Sequence, residues 1–266
     1  MTTSAIEVKN LVKRYPAVGG TGGQKVAVDG ISFDVKKGEF FGFLGPNGAG
    51  KTSTINAITG IGTFQEGEIK VFGFDVVKDY REARKKIGLS PQEFNMDIFR
   101  TAQDALYFVG GYFGMRKPER RTRIKELFEM LGLGPYARTP FRALSGGYKR
   151  RLMLARAMMH DPDILILDEP TSGVDVELRH DLGRILSDLN KKGKTIFLTT
   201  HYLEEAERLC DRIAIMFNGK IVALETKEEL IKDGKSIEDH YLHYAALSAT
   251  NGDAKRPAEL ERNGAV

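Results

Sequence analysis

Residues 40–52 read Phe40-Phe41-Gly42-Phe43-Leu44-Gly45-Pro46-Asn47-Gly48-Ala49-Gly50-Lys51-Thr52. An apolar strand-like run passes directly into the pattern G-x-x-x-x-G-K-T, and a helical pattern from Thr52 to Thr59 follows it. Glycines let backbone N–H groups turn inward around phosphate oxygens, where side chains would obstruct them. The helix amino terminus adds a favourable dipole, Lys51 a point charge and Thr52 a hydroxyl suited to magnesium. A glycine-rich turn that merely joins strand to helix needs none of these fixed positions, and here all are filled. The run therefore predicts a site for a nucleoside triphosphate, read as Gly45 through Ser53. By itself it does not separate a kinase, a GTPase, a motor or a transporter.

Strand-like runs also cover Ile6 to Val12, Val26 to Val35, Ile69 to Phe72, Ile164 to Leu167, Thr195 to Thr199 and Ile213 to Phe217. Helical patterns such as Val176 to Lys191 alternate with several of them, which predicts an α/β fold with a mostly parallel sheet. The run Ile164-Leu165-Ile166-Leu167 reads as a strand covered on both faces, ending in Asp168-Glu169. Open α/β sheets bind ligands at the carboxyl ends of their strands. An aspartate there can hold a magnesium shell, and the adjacent glutamate can polarise an attacking water. A pair of solvated acids is the plainer reading, and the upstream phosphate loop argues against it.

Between Phe94 and His160 no strand is expected, whereas Ala102 to Met115, Glu119 to Leu131 and Gly147 to Met159 carry helical periodicity. This segment reads as an all-helical subdomain, about residues 94–160, inserted into the core. Ala17 to Gln24 is expected to be a hairpin loop, residues 231–249 a terminal helix, and residues 250–266 a disordered tail. Forty basic against thirty-six acidic side chains give a net charge of +4, too mild to argue for nucleic acid. A single cysteine, Cys210, allows no intrachain disulfide. No stretch approaches the roughly 18–20 apolar residues needed to cross a bilayer, so a membrane role would come through a partner. The basic run Arg116 to Lys125 reads as a solvated helix face rather than a lipid-binding surface, and His240 with His243 is too small a set for a metal site.

Residues 144–148 read Leu144-Ser145-Gly146-Gly147-Tyr148, ahead of Lys149-Arg150-Arg151. A serine and two glycine amides at a helix start can make a second anion site, though serine and glycine also favour ordinary capping turns. Here the sequence resembles the ABC ATPase family, whose signature is a leucine-serine-glycine-glycine element between the two nucleotide motifs. Other elements fall in the family's order: Tyr15, Gln92 after Ser90-Pro91, Ser172-Gly173-Val174-Asp175, and His201 after the TIFLTT strand. Tyr148 stands where the family's signature closes with glutamine, so contacts of that side chain are not carried over.

The resemblance covers about residues 5–230 and implies a P-loop NTPase core with an amino-terminal antiparallel β subdomain. It further implies Glu169, His201, Gln92 and Lys51 as catalytic residues, and Thr52, Gln92 and Asp168 around magnesium. Tyr15 would stack on adenine, residues 45–53 would cradle the phosphates, and Asp175 would lie in the loop coupling two sites. Ser145, Gly146 and Gly147 would contact ATP held by a second subunit, making ATP the glue of a dimer. The stretches PQEFN, GGYKRRLMLARAMMHDP, SGVD and THYLEEAERLCDRI look most like ATPases of bacterial drug, lipid or polysaccharide exporters paired with a separate permease. Such a subunit would sit on the cytoplasmic face of the membrane, and Phe94, Met96, Ile98 and Phe99 read equally as a permease anchor or as local packing within the helical subdomain. A soluble ABC ATPase of cofactor assembly is the competing class; a simple nucleotide kinase leaves the signature, Gln92 and His201 unexplained.

Overall fold

Every residue of β3 (Phe40–Leu44) is buried, because the strand is covered on both faces. In the computed structural model, which describes residues 4–16, 23–232 and 236–250, its side chains divide by the period-two geometry of a strand. Phe40 and Leu44 enter one hydrophobic cluster, while Phe41 and Phe43 enter the other. The same division holds along β7 (Ile164–Asp168), where Leu165 and Leu167 face one cluster and Ile164 and Ile166 the other. It holds again along β8 (Thr195–Thr200) for Ile196 and Leu198 against Phe197. Phe33, Phe43 and Phe197 meet with ring centroids 5.5–6.2 Å apart, filling the space between the two sheets.

The chain begins with β1 (Ser4–Pro16) and β2 (Gln24–Lys36) and, after β3 and α1 (Lys51–Ile58), adds β4 (Glu66–Val71) and β5 (Phe74–Asp75). These form a four-stranded antiparallel sheet in the order β2-β1-β4-β5. Next come α2 (Tyr80–Lys86), β6 (Ile87–Ser90), α3 (Ala102–Tyr112), α4 (Lys117–Met130), α5 (Gly146–Ala157), β7 and α6 (Val176–Lys191). The chain continues through β8, α7 (Leu203–Leu209), β9 (Arg212–Phe217), β10 (Lys220–Thr226), α8 (Lys227–Leu230) and α9 (Ile237–Thr250). The second sheet is six-stranded, ordered β10-β9-β3-β8-β7-β6, and parallel except for the β9–β10 hairpin. The α/β class, the antiparallel β unit and the helical insertion between β6 and β7 all match the sequence reading.

Differences lie in short elements. β6 (IGLS) carries a glycine and too few residues for periodicity to register, yet it pairs in parallel with β7. β10 is absent from the sequence reading; Asn218-Gly219, both with positive φ (47° and 80°), makes the tight hairpin turn that leads into it. Helices α2, α7 and α8 span seven, seven and four residues, below the length at which an apolar stripe declares itself. The expected hairpin loop lies largely outside the described residues, and the expected tail almost wholly so. In the basic run, Arg116 pairs with Glu119, Arg123 with Glu126 and Asp161, and Arg120 donates to the Met115 carbonyl, while Lys117, Arg121 and Lys125 lie exposed on a solvated face.

His160, just beyond α5, stacks flat on Phe113 at 3.6 Å and donates from Nε2 to the Ile87 carbonyl at 3.0 Å. A carbonyl only accepts, so Nε2 carries the proton, and buried Nδ1 has no partner among the described residues. Burial pushes the imidazole down to about 4. The unfolded chain, with an ordinary histidine, binds the extra proton first, so this contribution is complete above about pH 6.5 and is lost as pH falls toward 4. It amounts to at most about 3 kcal/mol. Thermal melts at pH 7 and 4.5 are expected to differ less for His160→Phe, which keeps the stack, than for the wild type. An equal pH slope in both proteins would assign the acid lability to other groups.

Candidate functional site

The loop after β3 has a shape that only glycine permits at two positions. A Cβ on Gly45 would lie 2.3 Å from the Met216 carbonyl oxygen, and one on Gly50 would lie 2.3 Å from that of Ala27. Gly50 also has φ +111° and occupies the cap position of α1. The loop is thus pressed between β9 and β2, and it delivers Lys51 and Thr52 at the first turn of a helix whose amino-terminal N–H groups lack intrahelical partners. Buried Lys51 sends Nζ back to the Gly45 and Pro46 carbonyls at 2.6 and 3.2 Å, and reaches Glu169 Oε1 at 3.3 Å.

The site groups arrive from four neighbouring parallel strands. The glycine loop follows β3, His201 follows β8, Asp168 and Glu169 end β7, and Gln92 follows β6. Parallel pairing turns every carboxyl end the same way, so residues far apart in sequence meet along one edge. They converge on Glu169. Its Oε2 accepts from Gln92 Nε2 at 3.2 Å and from His201 Nδ1 at 3.1 Å, while its Oε1 pairs with Lys51. Glu169 takes φ +47°, an unfavourable backbone for a side-chain-bearing residue that costs about 1–3 kcal/mol. Its amide is held by the Thr199 carbonyl and hydroxyl at 3.1 and 3.0 Å, which compensates for that strain.

The His201 hydrogen bond, together with the nearby Lys51 charge, holds the Glu169 carboxyl below its usual range against the opposing effect of burial. It is therefore ionised at neutral pH and poised as an acceptor. Burial pushes Asp168 the other way, upward, opposed by hydroxyl bonds from Thr199 at 2.6 Å and Thr52 at 3.0 Å. Burial also lowers the Lys51 ammonium, and the Glu169 charge counteracts it.

In front of this cluster lies a cleft of about 810 Å³. Asn47, Gly48, Gly50, Lys51, Thr52 and Ser53 form one wall, with Gln92 and Glu169 behind. Tyr15 stands at the mouth, partly exposed, its hydroxyl 3.3 Å from Ser53 Oγ and its ring 4.6 Å from Lys13 Nζ. Pro16, Lys25 and Ala27 complete the lining, and the sequence alone did not suggest them. Ala49 is buried within the loop itself. The size and the polar wall suit a nucleotide.

Ser145, Gly147 and Asp175 line a different hollow of about 230 Å³, which shares no lining residue with the cleft. Exposed Ser145 caps α5, accepting the Tyr148 amide at 3.5 Å, and Gly146 begins that helix. Asp175 caps α6 through a 2.8 Å bond from the Leu178 amide. Tyr148 packs against Tyr136, with ring centroids 4.0 Å apart.

Three polar supports escaped the sequence reading. Thr199 bridges Asp168 and the Glu169 amide; its only sequence signal is its place near the end of β8. Glu205, buried and pushed upward by that burial, accepts from Thr171 at 3.0 Å. Arg150 donates to the Gln92 carbonyl. Of the candidate anchor residues, Met96 packs on the core, while Phe94, Ile98 and Phe99 are exposed.

A family described as ABC transporter matches residues 28–172. The linearmycin resistance ATP-binding protein LnrL of Bacillus subtilis is 41% identical over 85% of this chain and 70% of its own length. The Nod factor export ATP-binding protein I of Ralstonia nicotianae is 42% identical over 86% of this chain and 70% of its own. Among solved structures, an ATP binding subunit of an ABC transporter superposes with TM-score 0.81 at 27% identity, covering 91% of this chain and 100% of that one. A dimeric post-hydrolysis state of the ATP-binding cassette MJ0796, bound to ADP and Pi, gives TM-score 0.75 at 29% identity, covering 84% and 98%.

Proposed function

The chain belongs to the ABC transporter family, and from that premise we propose that it is the ATP-hydrolysing subunit of an exporter, closing head to tail with a second copy around two ATP molecules. The observation that carries this reading is a division of the site. Lys51, Gln92, Asp168 and His201 gather at Glu169, whereas Ser145 and Gly147 open onto a separate hollow. A second subunit brings its serine-glycine helix start to the first subunit's phosphates, and each ATP then joins two chains.

In this reading Tyr15 stacks on the base, and residues 45–53 hold the phosphates with backbone N–H groups and Lys51. Glu169, kept ionised by His201 and Lys51, takes the proton of the attacking water. Gln92 orients that water, and His201 with Lys51 stabilises charge developing on the transferred phosphoryl group. A buried carboxylate, a threonine hydroxyl and a glutamine amide oxygen are the hard oxygen donors magnesium takes, so Asp168, Thr52 and Gln92 would hold it. When bound, the ion supplies charge neutralisation on the phosphates.

Residues 5–230 are taken as one ATPase domain with the helical layer of about residues 94–160 inserted, followed by a closing segment, residues 231–249, in which the helix begins at Ile237. Among the described residues no helix is long and apolar enough to cross a membrane; in this reading a separate permease carries the substrate. A groove of about 400 Å³ suits its contact segment, with Ile61, Pro91, Tyr112 and Phe113 beside Arg84 and Arg156. Ile61 and Tyr112 are well exposed there, and Phe99 lies in the neighbouring loop. The subunit is thereby peripheral, on the cytoplasmic face. The export direction rests on relatives named for linearmycin resistance and Nod factor export.

Tagged chain drawn from gently solubilised membranes of its host is expected to bring down one multi-helix membrane protein. Recovery with soluble assembly proteins instead would keep the ATPase and overturn the transport reading.

A further inference from the structure

Arg150 lies on α5, near the serine-glycine turn, and its guanidinium bridges two loops of the neighbouring layer. Nη1 donates to the Gln92 carbonyl at 2.6 Å, and Nη2 to the Ser172 carbonyl at 3.3 Å. Each contact leads to Glu169 in one further bond. Gln92 reaches the Glu169 carboxylate through its side chain at 3.2 Å, and the Ser172 amide donates to the Glu169 carbonyl at 3.1 Å. The guanidinium also lies 4.7 Å from the ring centre of Phe94, which is partly exposed and sets its edge against Phe141. A planar fork can hold two carbonyls and an aromatic face at once; an ammonium on a flexible stem cannot.

We propose that Arg150 is a positioning residue that clamps the Gln92 and Ser172 loops around Glu169, its guanidinium steadied by the ring of Phe94. The inference rests on the ATPase reading above and adds a positioning residue to the same site. Without the guanidinium the Gln92 and Ser172 loops lose their shared donor, and the water-activating carboxylate is less firmly held by its Gln92 amide partner. Binding of ATP, which uses the glycine loop and Lys51, is untouched by this loss.

Single-turnover hydrolysis and nucleotide binding by the full chain test it. Arg150→Met is expected to lower the hydrolysis rate about tenfold while leaving the ATP dissociation constant within about twofold. Arg150→Lys should stay closer to the methionine variant than to the wild type. In a Gln92→Ala background the same Arg150→Met change should cost no more than about threefold, because the side chain it positions is gone. A merely structural role would impose equal factors in both backgrounds, and that result overturns the proposal. The chain has no tryptophan, so Phe94→Trp, excited beyond the tyrosine absorption, provides a single indole signal for a second readout if the Gln92→Ala rate is too slow. Its response to ATP should vanish when Arg150→Met is added, and an unchanged response counts against the clamp. A wild-type chain that fails to hydrolyse ATP sinks the underlying reading; intact wild-type turnover with equal factors sinks the Arg150 role alone.

Discussion

Glu169→Gln is expected to reduce steady-state ATP turnover about a hundredfold or more, with ATP affinity within about twofold of the wild type. The substitution removes a negative charge and little else. Glutamine keeps an acceptor for His201 and a shape that fits beside Gln92, so the geometry around the site is retained. It cannot take a proton from water, and general-base catalysis is worth about 10²–10⁴-fold. The charge removed also faces Lys51 at 3.3 Å. Losing it frees the ammonium to favour phosphate, which argues against any loss of ATP binding.

Because hydrolysis is what loosens the dimer in this scheme, Glu169→Gln should also accumulate as an ATP-dependent dimer on size-exclusion chromatography with light scattering. Adding Ser145→Arg, which fills the exposed turn on the other hollow, should return it to monomer without altering the cleft. Normal turnover by Glu169→Gln would remove Glu169 from its role. An ATP-induced dimer that survives Ser145→Arg would place the interface elsewhere.

What the sequence disclosed and what it hid follow one physical division. Long buried strands and full helices announce themselves by composition and period, as with Phe40–Leu44, Ile164–Leu167 and Val176–Lys191. β6 did not, since Ile87–Ser90 is a strand only because β7 lies beside it. The site shows the same contrast. Lys51, Asp168 and Glu169 sit in motifs whose spacing is itself the chemistry, and each reaches the edge the motif requires. Gln92 and His201 came from the resemblance, and their contact through Glu169 depends on the strand order β8-β7-β6, which local sequence does not state. Thr199, Glu205 and Arg150 act through contacts to residues about 30 or more positions away. A threonine ending a strand and an arginine in a basic helix are too common for composition to single them out. Met96 shows the converse limit: an apolar residue in a loop fits an anchor and local packing alike, and only the fold shows that it packs on the core.

Lys51→Ala should fail at an earlier step than Glu169→Gln, weakening ATP binding itself by about 10- to 150-fold. A hydrogen bond to a charged partner is worth about 1.5–3 kcal/mol, and about 1.4 kcal/mol corresponds to tenfold in affinity. The lysine is buried, and burial already lowers its pKa; the Glu169 charge opposes that shift and favours the ammonium form. Its removal also strips partners from the Gly45 and Pro46 carbonyls and a counter-charge from buried Glu169. His201 and Gln92 still hold that carboxylate, so the fold should survive with a lowered melting temperature rather than collapse. Titration with a fluorescent ATP analogue separates the two effects, provided it is run well below the variant's own melting transition. Weak binding by a folded Lys51→Ala chain, beside tight binding by Glu169→Gln, divides the site into a holding half and a cleaving half. Wild-type affinity in Lys51→Ala would instead confine the ammonium to the transition state, leaving the glycine loop's N–H groups and the helix dipole to hold the nucleotide alone.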